Sequence, residues 1–534
     1  MADKPVNAVE RSSSTAQKAL VYLVLVALFA LLFNLGGRPI EFKDYLRYAE
    51  VAREILQLDD WVMLHEQGKI YVDKPPLQFW LTATAYQAFG VTPFAARLPS
   101  ATAAFCGVLV TFFFARRIFG STQTAFLAAI VLLSAYDYLW WARRTRIDML
   151  FGVLFSVSLI CFYCGCQTAA PRKKTLWYLA FWLATGLAFM DKAFIAFSNL
   201  AVVVSYGIFI TRRPEGRTIS PARLALTSPV LLLVTLPWII ALVHHPQFSD
   251  FWQILKQTRI MDRQEAFYFY LVQMPLKLLP ATPFVVMGIW GFLRYRRQIP
   301  EKDGLQFALL WVLSIVLILH LTVAKSTRYL LPVYLPCALL GAWALPFFLQ
   351  KTKALGIILH GADRFLLTIV SLGTVSPLVV AYFYGVSPIP ALLYSAAMAA
   401  ALVAARRFLP YKTAGFFVSF ILMLLLIDAG DTVVREKVSV YYRMNRAIKM
   451  QQFAPDRVVF YKCYSRAQTA MEFYFNRPMA CSDDWRAIAS NPQIRAIVTT
   501  RDIAEAKITS AELENPSRTI PCDDKWIIII KPDR

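Results

Sequence analysis

Charge is what this chain lacks. Of its 534 residues only 17% are Asp, Glu, Lys or Arg and 57% are hydrophobic, against about 25% charged and 45–50% apolar in a soluble domain. That balance excludes a disordered chain, which needs few apolar residues and high net charge. It also excludes an ordinary cytosolic enzyme, because the apolar excess is gathered into long runs. Acidic residues are the scarcer sign, 34 against 56 Lys and Arg, for a formal net charge of +22. In a soluble protein such a surplus points towards nucleic acid. Here the basic residues stand in short clusters that close or open apolar stretches: Arg116-Arg117, Arg172-Lys173-Lys174, Arg212-Arg213 with Arg217, Arg294 with Arg296-Arg297, Lys351 with Lys353, and Arg406-Arg407. Loops held in the cytoplasm carry Lys and Arg in this way, which speaks against nucleic acid as a partner.

A metal-ligand pattern is missing among the eight cysteines. Cys161, Cys164 and Cys166 lie in an apolar segment without a second pair and read as packing. Cys463, Cys481 and Cys522 fall in the one long polar region; being three, they allow at most one disulfide. Internal repeats and low-complexity tracts are absent too. The first apolar stretch, Ala19 to Leu35, is followed by Gly36-Gly37-Arg38-Pro39 instead of a small-residue cleavage site, so it reads as a retained span and not a signal peptide.

At roughly 20 apolar residues per crossing, further spans are expected near 93–115, 121–140, 147–166, 175–190, 193–211, 225–243, 280–293, 305–322, 331–349, 365–384, 389–405 and 413–428, thirteen in all. Placing the basic clusters inside leaves the loops around 41–92, 136–146, 190–192, 244–279 and 323–330 on the outer face. Within the first of them Tyr48, Val51, Ile55 and Leu58 recur at helical spacing while Arg47, Glu50 and Glu54 take other faces, which predicts an amphipathic helix in the interface. Beyond Asp428 the composition becomes that of a small α/β domain, with strands expected at 458–461, 496–499 and 526–530 and a helix within 467–475. The expected organisation is therefore a transmembrane catalytic unit over 1–428 and an external soluble domain over 429–534.

Ionisable residues beside spans are costly and mark function. Asp44, Arg47, Asp73, Lys74, Arg146, Asp148, Asp191, Lys192, Lys325 and Arg328 all fall at outer ends under this topology. Any one of them could be a solvated interface charge; the group is harder to dismiss, because the outer ends otherwise carry few basic residues. Pro75-Pro76 fixes two φ angles and withholds two donors, so the preceding Asp73-Lys74 pair is aimed by the chain, as a pocket entrance or a plain turn would require. His244 and His245 sit beside the end of a span and read as interfacial.

Asp44-Tyr45-Leu46-Arg47-Tyr48-Ala49-Glu50, Tyr71-Val72-Asp73-Lys74-Pro75-Pro76-Leu77 with Trp80, and Ala96-Arg97-Leu98-Pro99-Ser100 resemble the first external loop of GT-C glycosyltransferases that use polyprenyl-phosphate sugars. Arg146-Ile147-Asp148, the Gly186 to Lys192 stretch, and Lys325-Ser326-Thr327-Arg328-Tyr329 continue the likeness in order. It is similar to the lipid A 4-amino-4-deoxy-L-arabinose transferase and, more distantly, the protein O-mannosyltransferase families. The resemblance implies a polytopic α-helical GT-C fold of about thirteen helices with an outward cavity. It implies Asp44 and Asp73 as catalytic residues, with Asp73 able to hold a divalent metal ion. It implies Arg47, Lys74, Lys192, Arg259 and Tyr329 around the donor phosphate, with Tyr71, Asp148 and Arg328 supporting them. It further implies an inverting transferase of the bacterial inner membrane, its site facing the periplasm, that takes a sugar from undecaprenyl phosphate to lipid A, another envelope glycan or a protein, among membrane lipids. The fourth external loop departs from the family: its histidine-containing stretch is not reproduced around Lys256 to Arg263.

The rival from another class is a transporter. Transporters show repeats and broken helices at the midplane, whereas the charges here crowd one face. A non-catalytic relative that keeps the fold is a third reading, opposed by the presence of both Asp44 and Lys74.

Overall fold

The structure is a computed structural model that describes residues 5–40, 43–210, 219–257, 265–384, 387–451, 454–461, 466–476, 479–504, 518–522 and 526–531. The chain enters through α1 (Pro5–Leu32), apolar from Thr15 onward. A cap of non-spanning elements follows: α2 (Lys43–Leu58), a hairpin of β1 (His65–Glu66) and β2 (Lys69–Ile70), and α3 (Leu77–Phe89). The hairpin turns on Gln67 and Gly68, both at positive φ.

Local signals explain where the long helices begin and end. α4 (Pro93–Phe119) starts where the Thr92 side chain accepts from Ala95 N–H with Pro93 in the first turn. It stops at Gly120, which is left-handed at φ 63°, with Arg116 and Arg117 in the last turn, where the helix dipole favours cations. Ser121 caps α5 (Thr122–Ser134), and α6 (Tyr136–Ala142) leaves it at a 68° bend. α7 (Asp148–Gln167) and α8 (Pro171–Lys192) follow.

The next apolar stretch reverses direction. Pro171–Phe209 is 39 residues of continuous helical chain, far longer than one crossing. Ala193 takes φ +54°, a 3-10 segment covers Ala193–Ser198, and α9 (Asn199–Ile210) begins below it. Asn199 Nδ2 donates to Thr185 on α8 and to Ser158 on α7, while the Tyr206 hydroxyl accepts from Gln167 at the far end of α7. In a straight helix Thr185 and Asn199 would stand about 21 Å apart. α9 therefore runs back down the bundle.

The remaining helices are α10 (Pro221–Thr227), α11 (Pro229–Val243), α12 (Phe248–Gln257), α13 (Phe269–Lys277), α14 (Thr282–Tyr295), α15 (Lys302–Leu321), α16 (Leu331–Lys351), α17 (Lys353–Gly373), α18 (Ser376–Tyr384), α19 (Pro388–Arg407) and α20 (Gly415–Val438). Among the described residues ten segments are long and apolar enough to cross a membrane, and two bent pairs, α5 with α6 and α13 with α14, raise that to twelve. The thirteenth expected span is the returning limb α9, which that length-based reckoning merges with α8. α7 and the segment leading into α16 form the centre, 83% and 89% buried, against 17% for the α10–α11 and α17–α18 segments. The peripheral helices expose Leu226, Leu233, Ile357, Leu372 and Tyr382. In water so much apolar surface would aggregate; against lipid it is the solvent-matched face. A Cβ on Gly288 would stand 2.3 Å from the Leu340 carbonyl oxygen, so glycine is what lets α14 lie against α16.

After α21 (Val440–Met450) come β3 (Val458–Tyr461), α22 (Arg466–Phe475), β4 (Ala480–Ser482), α23 (Trp485–Ser490), β5 (Ala496–Thr500), β6 (Arg518–Pro521) and β7 (Trp526–Ile530). They form a five-stranded mixed sheet in the order β4-β3-β5-β7-β6, parallel around β3 and antiparallel around β7, with Val498 opposite Ile528. Side chains alternate: Phe460, Val498 and Ile528 face the cap, while Val459, Ile497 and Ile529 join Trp485 and Ile488. The three expected strands are present; β4 and β6 are short edges without the apolar run that would have announced them.

α2 forms over the expected stretch, with two differences. Tyr48, Val51 and Ile55 are buried but Leu58, at the helix end, is exposed, and Glu50 and Glu54 are buried as well. The acidic side is covered by the C-terminal unit: Ala49, Ala52, Met471 and Phe473 share one apolar cluster, and the Ile40 N–H donates to the Tyr474 hydroxyl. Cys481 is in a disulfide, and Cys522 is a buried thiol. Cys463, Arg212, Arg213, Arg217 and Arg259 lie outside the described residues.

Candidate active site

Five separate parts of the chain deliver charge to one end of the bundle. α2 presents Asp44 in its first turn and Arg47 one turn later. The hairpin and the Tyr71 to Pro76 segment present Glu66, Asp73 and Lys74. α7 presents Asp148 in its first turn and α8 ends on Lys192. The 3-10 turn Thr327–Leu330 before α16 presents Arg328 and Tyr329.

Asp148 is the hub. Its side chain is 1% exposed, and its carboxylate receives Arg146 Nε at 3.0 Å and pairs with Lys192 Nζ, with Arg328 Nε at 3.7 Å. Three cations lean on it, so it fixes geometry and is not open to a substrate. Asp44 is the opposite case. Its Oδ2 accepts from Arg146 Nη1 at 2.8 Å and lies 3.8 Å from Arg328, while its side chain stays 39% exposed. Partial burial works against the Asp44 charge, but the Arg146 hydrogen bond and the charges of Arg146, Arg328 and Arg47 outweigh it and hold the carboxyl below its usual range. Asp44 is thus an ionised acceptor facing open space.

Lys74 has no carboxylate partner among the described residues. Burial, then the positive charge of Lys192, pull its pKa down. Lys192 stands 5.1 Å from the Tyr329 ring centre. Lys74, Lys192, Arg328 and Arg146 converge here with Asp44 and Asp148, while Asp73 also acts on Lys74 and the fully buried Asp191 feels both lysines. Lys74, in no ion pair among the described residues, is the cation left for a phosphate anion.

Arg47 faces a different balance. It donates through Nε to Glu66 at 3.0 Å, pairs through Nη1 with Asp73 at 3.0 Å, and lies 5.6 Å from the Tyr71 ring centre. Two carboxylates hold its guanidinium, so a phosphate would have to displace one of them. For Asp73 the same pair weighs against metal ligation. Among the described residues no group of three or more His, Cys, Asp or Glu is placed to hold a metal ion, and a carboxylate bound to arginine makes a poor start for such a site. The donor set does not fit a divalent ion.

Lys325 belongs to the structure instead of the site: its Nζ donates to the Thr322 carbonyl oxygen at 2.9 Å, closing the end of α15. His245 pairs with Asp60 at 3.2 Å and ties the loop after α11 to the first loop. Arg146, visible in the Arg146-Ile147-Asp148 triplet, takes a central place, and Glu66 joins the site although nothing in the sequence singles it out.

Residues 73–240 match the family described as dolichyl-phosphate-mannose-protein mannosyltransferase. The undecaprenyl phosphate-α-4-amino-4-deoxy-L-arabinose arabinosyl transferase of Aeromonas salmonicida is 32% identical over 61% of this chain and 60% of its own length. A like-named protein of Pseudomonas fluorescens is 28% identical over 66% and 64%. The chain thus matches about three fifths of the length of these curated relatives. Among solved structures, ArnT from Cupriavidus metallidurans bound to undecaprenyl phosphate superimposes with a TM-score of 0.74 at 23% identity, over 96% of this chain and 98% of that one. The apo form of the same protein gives 0.73 at 21%. This is a multi-span membrane protein with the GT-C fold, and it resembles polyprenyl-phosphate-sugar glycosyltransferases of the aminoarabinose type.

Proposed function

We propose that the protein is an inverting glycosyltransferase of the bacterial inner membrane that moves a monosaccharide from undecaprenyl phosphate to lipid A or another envelope glycan at the periplasmic face. The observation that carries this reading is the exposed, ionised Asp44 beside a cationic cluster in which Lys74 lacks a carboxylate partner. An acceptor oxygen attacks the anomeric carbon while the bond from that carbon to the phosphate oxygen breaks, and the electron pair leaves on polyprenyl phosphate. Lys74, Lys192 and Arg328 meet the charge that grows on the leaving oxygen. Where the acceptor is a hydroxyl, its proton passes to Asp44. A carboxyl held at a low pKa is a weak base, so that proton moves late, once the new bond has acidified it. Where the acceptor is a phosphate, no proton moves and Asp44 acts through Arg146 and Arg328, which it orients.

The match of residues 73–240 to a protein mannosyltransferase family favours a protein acceptor as the second reading. One experiment tests both. The purified protein and its Asp44→Asn variant are supplied with undecaprenyl-phosphate aminoarabinose and a panel of other undecaprenyl-phosphate monosaccharides and, in turn, lipid A, an envelope glycan and periplasmic protein. Sugar transfer to one acceptor, lost in a folded Asp44→Asn protein, is the expected result. No transfer to any acceptor, or full transfer by the variant, overturns the assignment.

A further inference from the structure

A cavity of about 280 Å³ lies between α6, α20 and the segment that follows α1. Arg38, Trp140, Arg144 and Asp428 line its polar end, and Leu424 and Ile427 its apolar wall. Ile427 is 60% exposed on the outside of the bundle, so the cavity reaches the lipid-facing surface. Arg144 stands two residues before Arg146, the hydrogen-bond partner of Asp44, so the cavity and the proposed catalytic carboxylate share one end of the bundle, although none of the cavity residues takes part in the site described above.

Its charges do not cancel. Arg143 donates to the Ala30 and Phe33 carbonyl oxygens and to Asp428 Oδ2 at 2.8 Å, while its Nε is buried without a hydrogen-bond partner among the described residues. Arg38 holds Asp431 at 2.9 Å and stands 3.7 Å from Asp428. Asp428 is thus already divided between two guanidiniums when Arg144 reaches it, at 3.7 Å. Arg144 Nη2 is buried with no hydrogen-bond partner among the described residues, its side chain is 4% exposed, and its guanidinium lies 4.0 Å from the Trp140 ring centre. Arg97 adds a fourth guanidinium close by, donating to the Leu35 and Pro39 carbonyl oxygens. Four buried cations face two carboxylates among the described residues. A buried cation without a full counter-charge is costly unless an anion completes it.

We propose that the cavity binds the phosphate of an anionic lipid head group, with Arg144 and Arg38 on the phosphate oxygens and the Leu424–Ile427 wall against the first carbons of the lipid. Guanidinium is suited to phosphate because its planar fork gives two parallel donors, and an apolar wall that opens onto lipid is what a free anion would not need. The site does not depend on the transfer reading, which could fail while the lipid still binds.

The test uses the full-length protein, delipidated in detergent and titrated with phosphatidylglycerol or phosphatidylcholine under native mass spectrometry. Wild type should saturate one phosphatidylglycerol site that phosphatidylcholine does not fill. Arg144→Gln should bind at that site at least about tenfold more weakly. Leu424→Trp, which fills the cavity and leaves every charge in place, should lose it as well and decides the matter if Arg144→Gln does not fold. Unchanged phosphatidylglycerol occupancy in Leu424→Trp, or equal filling by phosphatidylcholine, overturns the proposal. Full displacement of the lipid by millimolar inorganic phosphate would assign the site to the free anion and overturn the lipid.

Discussion

Arg146 donates through Nη1 to Asp44 Oδ2 at 2.8 Å, and the same guanidinium donates through Nε to Asp148 at 3.0 Å. One side chain therefore fixes the exposed carboxylate to the buried one, which needs the two-armed geometry of arginine. Arg146→Lys should retain the charge, lose one arm, and lower kcat/KM about a hundredfold. Arg146→Gln removes the charge that holds Asp44 low, while the opposing burial remains. If transfer requires ionised Asp44, the acid limb of the pH–rate profile lies below the ordinary aspartate range in wild type and moves to higher pH in Arg146→Gln. Equal acid limbs in the two proteins would mean that Asp44 does not titrate in the rate-limiting step.

Lys74 and Lys192 both face the proposed donor phosphate, yet their substitutions should fail differently. Lys74 supports no carboxylate among the described residues, so Lys74→Ala should raise the donor KM at least about tenfold with an unchanged melting temperature. Lys192 pairs with the buried Asp148, so Lys192→Ala should also destabilise the protein, by about 2 kcal/mol. Thermal denaturation with donor titration separates the two. Equal stability losses would show that Lys74 is structural.

How far these residues were legible in the sequence depends on the distance over which each signal acts. The β-branched runs of β3, β5 and β7 are local, and the strands stand where they were expected. The reversal after Lys192 is not local: it is set by Asn199 reaching Ser158 and Thr185, three positions on different elements, and hydropathy alone shows only one long apolar run. Glu50 and Glu54 look like the wet side of an amphipathic helix because nothing in α2 records that α22, some 400 residues later, will cover them. Arg47 shows the same limit: its likeness to a phosphate ligand is visible in its motif, and its double pairing with Glu66 and Asp73 is visible only in three dimensions.

Glu54 offers a stability prediction at that covered surface. Burial, then the charge of Glu50, raise its pKa to about 7 from 4.5, even though it accepts the Gly68 N–H at 3.1 Å. A carboxyl raised on folding binds more protons in the native state, so stability falls as pH rises from about 4.5 to 7 and stays lower above that window. Glu54→Gln retains an acceptor for Gly68 and removes the charge. It should be more stable than wild type at pH 8, by on the order of 2–3 kcal/mol, and indistinguishable at pH 4. Chemical denaturation at the two pH values reads the difference directly, and a variant less stable at pH 8 but unchanged at pH 4 would show that the carboxylate is wanted ionised.

The orientation of the bundle separates a transferase of this kind from a misread transporter. If the thirteen crossings are counted correctly and the basic clusters are cytoplasmic, a reporter placed after Asp428 must be periplasmic. Single cysteines near Asp44, Asp73, Asp148, Lys192 and Tyr329 must then react with a membrane-impermeant thiol reagent from the periplasmic side. The reason is energetic as well as topological: each charge at the centre of a span costs roughly 2.5–3.5 kcal/mol on insertion scales, so a cluster of cations and carboxylates is far cheaper at one aqueous mouth than scattered through the bilayer. The reversal after Lys192 sharpens the test. With α9 counted as a crossing the C-terminal reporter and the Lys192 probe lie on the same side; if α9 does not cross they lie on opposite sides. Labelling of Lys192 from the periplasm with a cytoplasmic C-terminal reporter would therefore remove α9 from the count. Labelling of Asp44 and Lys192 from opposite sides would go further, because no single phosphate could then touch both and the transferase reading would fall.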